Sequence, residues 1–288
     1  MGADTKIEWA HHTFNPWIGC TRISPACDHC YAADWAKRYG QEHLWQGERR
    51  QTSAQTRHQP FKWNREAAEA GERRRVFCGS LMDFADNQVP GRWRDDAWHC
   101  ISMCPWLDWM LLSKRPQNYA RFLPGPAIGA PEWGDGWPNV WLGTTIEDRK
   151  RLPNLEHLRA VPAAVRFLSI EPLLEDLGEL DLTGIHLVIV GGESGPEARP
   201  MHPAWVRSLR DQCAAQGVAF FFKQWGEWAP HTVDLEDEEG SIRTTPRGGV
   251  NWQAERPGGY FGVFRIGKKR AGRLLDGRTH DEMPRPAA

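Results

Sequence analysis

The chain has no charge of one sign to spare: 36 Lys and Arg stand against 37 Asp and Glu over 288 residues, a net charge of −1. That balance excludes a protein that coats nucleic acid by bulk charge and leaves local basic patches open. No apolar run approaches the ~20 residues of a membrane-spanning helix. The first nine residues carry Asp4 and Glu8 before any apolar stretch, unlike a secretory leader. Internal repeats and low-complexity tracts are also missing. These absences point to a soluble, cytoplasmic chain with no membrane partner. With 40% hydrophobic residues, a chain this long can fill one large α/β domain or two small ones.

Cysteine is sparse, odd in number and unevenly placed. Of seven, Cys20, Cys27 and Cys30 fall within eleven residues, while Cys78, Cys100, Cys104 and Cys213 are scattered through apolar or helical stretches. Clustered cysteines in a long intracellular chain indicate a metal or redox site rather than a disulfide framework. The scattered four are expected to be small buried thiols.

Apolar, β-branched runs alternate with helical patterns. Strands are expected at VFCGS from Val76, LDWMLLS from Leu107, NVWLGTT from Asn139, VRFLSIE from Val165, IHLVIVGGE from Ile185 and VAFFFKQ from Val218, with a first strand around Thr13 to Trp17. Helices are expected over 31–39, 92–103, 146–161 and 203–216. Near-continuous apolar strands separated by helices imply βαβ units and a parallel sheet covered on both faces. Seven of them suit a complete or partial (β/α) barrel of the TIM type. The barrel is expected to occupy residues 1–228, with a polar, basic insertion at 40–75 and a loop-rich extension with a basic tail at 229–288.

Polar residues recur where the strands end: Gly79, Ser80 and Asp83; Ser113, Lys114 and Arg115; Thr144, Thr145 and Glu147; Ser169 and Glu171; Gly191, Gly192 and Glu193; Lys223 and Gln224. Any one of them could be a helix cap. Six sets in register describe one shared mouth, where such barrels do their chemistry. Lys114, Arg115 and Lys223 could meet a carboxylate or phosphate there, or could pair with Asp83, Glu171 and Glu193. Residues 49–75 hold eight Lys/Arg against three Asp/Glu and end in Arg73, Arg74 and Arg75. The tail carries Arg265, Lys268, Lys269, Arg270, Arg273 and Arg278. Either segment could hold a nucleic-acid backbone, with Trp63 or Phe61 to stack on a base, or be a solvated face. The acidic run Asp234 to Glu239 reads as a mobile loop.

The segment NPWIGCTRISPACDHCYA puts the three cysteines after the first strand and before a helix. Three thiolates need a fourth ligand, such as His29, His11 or His12, to close a structural zinc site. An iron–sulfur cluster held by three cysteines leaves one iron open. The triplet alone suits either; its place at a barrel mouth favours the cluster.

At this point the sequence resembles a phage-associated three-cysteine-motif family, a divergent branch of the radical S-adenosylmethionine (SAM) enzymes. The resemblance runs through NPWIGCTRISPACDHCYA, VFCGSLMDFAD, LLSKRP, VWLGTTIED, FLSIEPLL, VIVGGESGPEARPM, FFFKQWG and GKKRAGRLLDGRTHDE. The superfamily's usual spacing has three residues between its first two cysteines; here six intervene, while the CxxC half is intact. The resemblance implies a [4Fe-4S] cluster on Cys20, Cys27 and Cys30, SAM on its open iron, and a 5′-deoxyadenosyl radical that abstracts a substrate hydrogen. It implies that Gly79, Ser80 and Asp83 receive the SAM amino group, and that Thr144, Ser169 and Glu171 serve the ribose or methionyl end. Gly191 and Gly192 would approach adenine or substrate closely, with Lys114, Lys223 and Glu193 as catalytic groups. An electron donor of flavodoxin or ferredoxin type would be a partner, and DNA a possible one, with the host cytoplasm as location if a phage encodes the chain. The substrate it suggests is a modified thymine in phage DNA, rearranged by an isomerase-type step. A small-molecule substrate, a zinc-stabilised nucleic-acid-binding module or a non-catalytic accessory barrel are the alternatives.

Overall fold

The computed structural model describes residues 5–125, 129–230, 249–253 and 260–284. The acidic run at 234–239 lies outside them.

The strands are β1 (His12–Phe14), β2 (Trp17–Ile18), β3 (Arg50–Gln51), β4 (Arg74–Cys78), β5 (Leu107–Ser113), β6 (Val140–Thr145), β7 (Val165–Ile170), β8 (Leu187–Gly191), β9 (Ala219–Gln224), β10 (Trp228–Pro230), β11 (Gly249–Gln253) and β12 (Tyr260–Arg265). The helices are α1 (Tyr31–Arg38), α2 (Ala54–Ala70), α3 (Gly91–Ser102), α4 (Tyr119–Phe122), α5 (Pro153–Arg159), α6 (Pro203–Gln216) and α7 (Lys268–Ala271). Seven strands form one wholly parallel sheet in the order β1-β4-β5-β6-β7-β8-β9. Spatial order follows chain order, so each crossover advances the same way and the sheet curls on itself. Among the described residues no pairing joins β1 to β9, so this is a partial (β/α) barrel, with the architecture the apolar runs imply.

Strand alternation sorts the core into two faces. Phe77, Met110, Trp141, Phe167, Ile189 and Phe221 fill the inside, with Trp9 set 4.6 Å from the Phe77 ring. Val76, Leu111, Leu142, Leu168, Val188 and Phe222 meet the outer core. Cys78, Cys100, Cys104 and Cys213 are free and buried, so they pack as hydrophobes.

Several elements differ from the expected ones. Pro16 breaks the first strand, and Trp17–Ile18 pairs with Arg50–Gln51 instead. The helix expected over 146–161 starts only at Pro153, because the Asp148 side chain caps a 3-10 turn, accepting from Arg151 N. The insertion at 40–75 is not a loose segment. It holds α2, capped by Ser53 and ended by Gly71 at φ 66°, with Pro60, Trp63 and Ala67 buried against the barrel. The last residues cover the edge of β9. Phe222 N donates to His280 O at 2.9 Å, and Phe220 N to Glu282 Oε2 at 3.1 Å. A three-stranded antiparallel sheet, β10-β12-β11, leads into α7. No helix among the described residues is long and apolar enough to cross a membrane.

Candidate active site

The cysteine loop lies between β2 and α1, at the C-terminal end of the parallel strands, and is tied down at both ends. Gly19 N donates to Leu81 O at 3.1 Å and Cys20 N to Leu44 O at 3.0 Å. Asn15, fully buried at the end of the first strand, donates to Ser80 Oγ at 2.7 Å and accepts from Leu81 N at 2.8 Å. Thr21 sits between two arginines: Arg49 Nη2 donates to its hydroxyl at 2.7 Å and Arg115 Nη2 to its carbonyl at 3.0 Å. Arg49 is itself paired with buried Asp86 at 2.6 Å. At the far end Arg199 Nη2 donates to Pro25 O at 2.9 Å while pairing with Glu193 at 2.6 Å. His29 Nδ1 lies 3.2 Å from the same glutamate. Tyr31 OH donates to Ser80 O at 2.6 Å.

Cys20, Cys27 and Cys30 are free and half-buried. Burial, with Asp83 adding, pushes the Cys20 thiol up to about 11, against the pull of Arg115. Arg115 Nη1 lies 3.8 Å from its sulfur. Burial opposes the Lys114 ammonium, but Cys27, Cys30, Glu147 and Cys20 outweigh it and raise its pKa. One lysine therefore lies within electrostatic reach of all three sulfurs. Among the described residues no three His, Cys, Asp or Glu side chains converge as ligands of a single metal ion. The three histidines that could close a zinc site are placed differently. His29 faces Glu193, and His12 is stacked on Trp63 at 4.5 Å. His11 Nδ1 accepts from Arg75 N at 2.8 Å, at the opposite end of the barrel.

The other expected site residues divide into three groups. The first faces the mouth. Lys223 Nζ pairs with Glu171 at 3.2 Å, inside the sheet on the parity of Phe221. The Lys114 side chain makes no hydrogen bond or ion pair among the described residues. Ser169 is buried on the same inner face as Phe167.

The second group is consumed by the fold. Asp83, 4% exposed, accepts from Ala85 N, Ser113 Oγ, Lys114 N and Arg115 Nη1 at 2.5–3.0 Å. Both of its oxygens are occupied by these four donors. Thr144 is fully buried on the outer parity and donates to Ser113 O at 2.9 Å. Thr145 is the inward residue; its hydroxyl is buried without a partner. Ser80 is held by Asn15 and Tyr31, and Glu193 by Arg199 and His29. Gly79 takes φ +128°, which the turn after β4 requires. A Cβ on Gly191 would strike the Glu171 carboxylate, and one on Gly192 the Trp225 carbonyl. Those two glycines are explained by packing.

The third group lies away from the mouth. Arg74 and Arg75 begin β4, Arg73 pairs with Asp108 at 2.6 Å, and Arg75 Nε donates to Trp9 O at 2.9 Å. All three sit at the N-terminal end of the strands. Trp63 is 3% exposed and cannot stack on a base. The exposed Lys268, Lys269 and Arg270 are on the mouth side, since Ile266 and Gly267 donate to Glu227 O beyond the end of β9.

Sequence reasoning missed Arg49, Arg199 and Asn15, which hold the loop. Their partners are 37, 174 and 65 residues away, and no local spacing marks such pairs.

A family model described as "Protein of unknown function (DUF5131)" matches residues 4–284. No curated protein matches the chain. Among solved structures it is similar to a doubly substituted spore photoproduct lyase with bound AdoMet and dinucleoside spore photoproduct, at 13% identity over 89% of this chain and 69% of that one, with a TM-score of 0.42. It is also similar to spore photoproduct lyase complexed with dinucleoside spore photoproduct, at 12% identity over the same shares, with a TM-score of 0.42.

Proposed function

The chain belongs to the DUF5131 family, and from the site just described we propose that it is a radical SAM enzyme. Cys20, Cys27 and Cys30 would hold a [4Fe-4S] cluster, and SAM would bind in the mouth beside it. One observation carries this reading: three free thiols on a tethered loop at the mouth of a parallel partial barrel, all within electrostatic reach of Lys114, with Arg115 beside Cys20. Such a cluster, when bound, supplies one electron to the sulfonium of SAM.

The chain's own residues do the positioning. Arg49, Arg115 and Arg199 fix the loop backbone at Thr21 and Pro25. Lys114 and Arg115 offset thiolate charge. The Lys223–Glu171 pair and Ser169 present polar groups to whatever occupies the mouth. An electron donor of flavodoxin or ferredoxin type is the partner this chemistry requires. We infer a substrate carried on DNA, with a modified thymine as the finer reading, in keeping with the phage-associated enzymes the sequence resembles. What supports it is the exposed Lys268, Lys269 and Arg270 on the mouth side, with Tyr31, 60% exposed, beside Cys30.

The test is metal analysis with an absorption spectrum after anaerobic purification. A brown protein with about four irons per chain is expected. Serine at Cys20, Cys27 or Cys30 abolishes iron incorporation, and serine at Cys78, Cys100, Cys104 or Cys213 does not. A colourless protein with one zinc, or full iron in Cys27→Ser, overturns the assignment.

A further inference from the structure

Helix α1 reverses the usual pattern of burial. Its fully buried residues are Ala32 and Ala36, while its large rings are turned outward. Tyr31 is 60% exposed and Tyr39 59% exposed. Trp35, between them, is half-buried on the cluster of Ile18, Leu44 and Leu81, with its ring 5.1 Å from that of Tyr39. An ordinary surface helix buries such rings and shows its alanines to water. Exposed rings scattered singly need no explanation, but three in a row on one element do.

Positions 31, 35 and 39 are four apart, so the rings follow one another along one side of the helix at steps of about 6 Å. That is nearly twice the ~3.4 Å between nucleotides of a stacked strand. The row begins at the mouth. Tyr31 follows Cys30, and its hydroxyl donates to Ser80 O, beyond the end of β4, at 2.6 Å, which fixes the ring. From there α1 leads away from the mouth to two exposed cations. Arg38 stands in its last turn, and Arg50 Nη2, on β3, donates to the neutral Gln41 at 2.9 Å. Neither arginine makes an ion pair among the described residues, and Asp34 is the one acid on the helix.

We propose that this row is a stacking platform for single-stranded nucleic acid, with bases laid on Tyr31 and Tyr39, Trp35 completing the wall between them, and Arg38 and Arg50 meeting phosphates. The inference rests on the proposed DNA substrate and gives the means of holding the strand next to the target base. Aromatic faces accept any base, and their steps here suit a strand whose own bases are drawn apart. A base within a duplex has no free face, so the strand must be unpaired at this point. A docked protein is the poorer occupant, because one stripe of three side chains falls far short of the roughly 20–30 residues a side of a standard protein interface.

The probes are a single-stranded oligothymidylate and a strand of equal length built of abasic sites, which keeps the phosphates and lacks the bases. Binding to the anaerobically purified protein is followed by fluorescence anisotropy at several salt concentrations. The oligothymidylate is expected to bind more tightly than the abasic strand. Tyr31→Ala and Tyr39→Ala should each weaken it by about 5- to 150-fold, the usual range for a base that loses its ring, without changing the salt slope. Tyr39→Phe should keep wild-type affinity. Arg38→Gln with Arg50→Gln should lower the salt slope for both strands. Tyr39→Ala, at the end of the helix away from the cysteines, carries the test if the Tyr31 variant does not fold. Wild-type affinity in both alanine variants, or equal binding of the two strands, overturns the platform and leaves the DNA substrate standing. No binding of either strand by wild type at low salt overturns the platform and the DNA substrate together, while iron content reports separately on the cluster. If flavodoxin binds and loses affinity in the alanine variants while the oligothymidylate does not, the face belongs to the electron donor and the platform is overturned.

Discussion

Arg199 joins two segments 174 residues apart, the Pro25 carbonyl of the cysteine loop and the Glu193 carboxylate after β8. Burial pushes the Glu193 carboxyl up, and the Arg199 hydrogen bonds, helped by His29, overcome that and leave it below its ordinary value. A carboxyl depressed in the folded state stabilises the fold above the unfolded value of about 4.3 and loses that contribution as pH falls through the folded one. Arg199→Ala is therefore expected to cost about 1–3 kcal/mol at pH 7, because a 6% exposed carboxylate loses its charged donor. The cost should shrink below pH 4. Urea unfolding of both proteins at the two pH values checks this, and an equal loss at both would refute the ion-pair account. The same variant should expose Cys27 to alkylation faster, since the loop loses its far anchor. Nothing in the sequence around GPEARPM marks Arg199 as a partner of the cysteine loop. The three cysteines stand out in the sequence because thiols at short spacing have few structural uses, and the fold sets their loop at the C-terminal end of the parallel strands. Asp83 stands out in the sequence as an acid after a strand, but the four donors that occupy it come from two separate segments, Ala85 after β4 and Ser113–Arg115 at the end of β5, which no local spacing joins.

At the scale of elements, the strands were legible because parallel strands buried on both faces must be apolar at nearly every position, as Val140–Thr145 and Leu187–Gly191 are. Helix α2 was not, because only Pro60, Trp63 and Ala67 of its 17 residues are buried, and a proline in mid-helix argues against the assignment. Its N-cap serine and left-handed Gly71 were the available signals. Gly143, in the middle of β6, shows how tightly the inner layer is filled. A Cβ there would run into the Phe167 ring, which is 0% exposed. With no room to move that ring, Gly143→Ala is expected to destabilise by about 1–3 kcal/mol, the usual cost of overpacking. A thermal melt that shows no drop in midpoint would mean the inner layer is looser than its packing indicates. Because Gly143 is two residues below the mouth residue Thr145, the variant also tests whether core strain reaches the site. If iron incorporation persists while the melting temperature falls, the strain stays in the core.

For the whole molecule, the decisive feature is polarity along the barrel axis. Two basic segments of similar charge looked equivalent in the sequence, and the fold puts them at opposite ends. Arg73, Arg74 and Arg75 stand at the start of β4, where Asp108 and the Trp9 carbonyl engage Arg73 and Arg75. Lys268, Lys269 and Arg270 project from α7, next to the turn that follows β9 and the Glu193 segment. Sequence reading could count these charges but could not orient them, because the end of a strand on which a segment emerges depends on the complete βαβ path. If DNA is bound at the mouth, its phosphates must meet the second group, and counterion release makes binding fall steeply with salt. Replacing Lys268, Lys269 and Arg270 with Gln should weaken DNA binding at low salt and lower the magnitude of the log–log salt slope by about 2–3, close to one for each phosphate left without its cation. Replacing Arg73, Arg74 and Arg75 should leave that slope unchanged, although it will cost stability at the base of the barrel. The measurement is a DNA titration at two or more salt concentrations on wild type and both triple variants. Loss of binding in the arginine variant alone would put the nucleic acid at the wrong end for chemistry at the cysteines. No binding by wild type at low salt would make the substrate a small molecule.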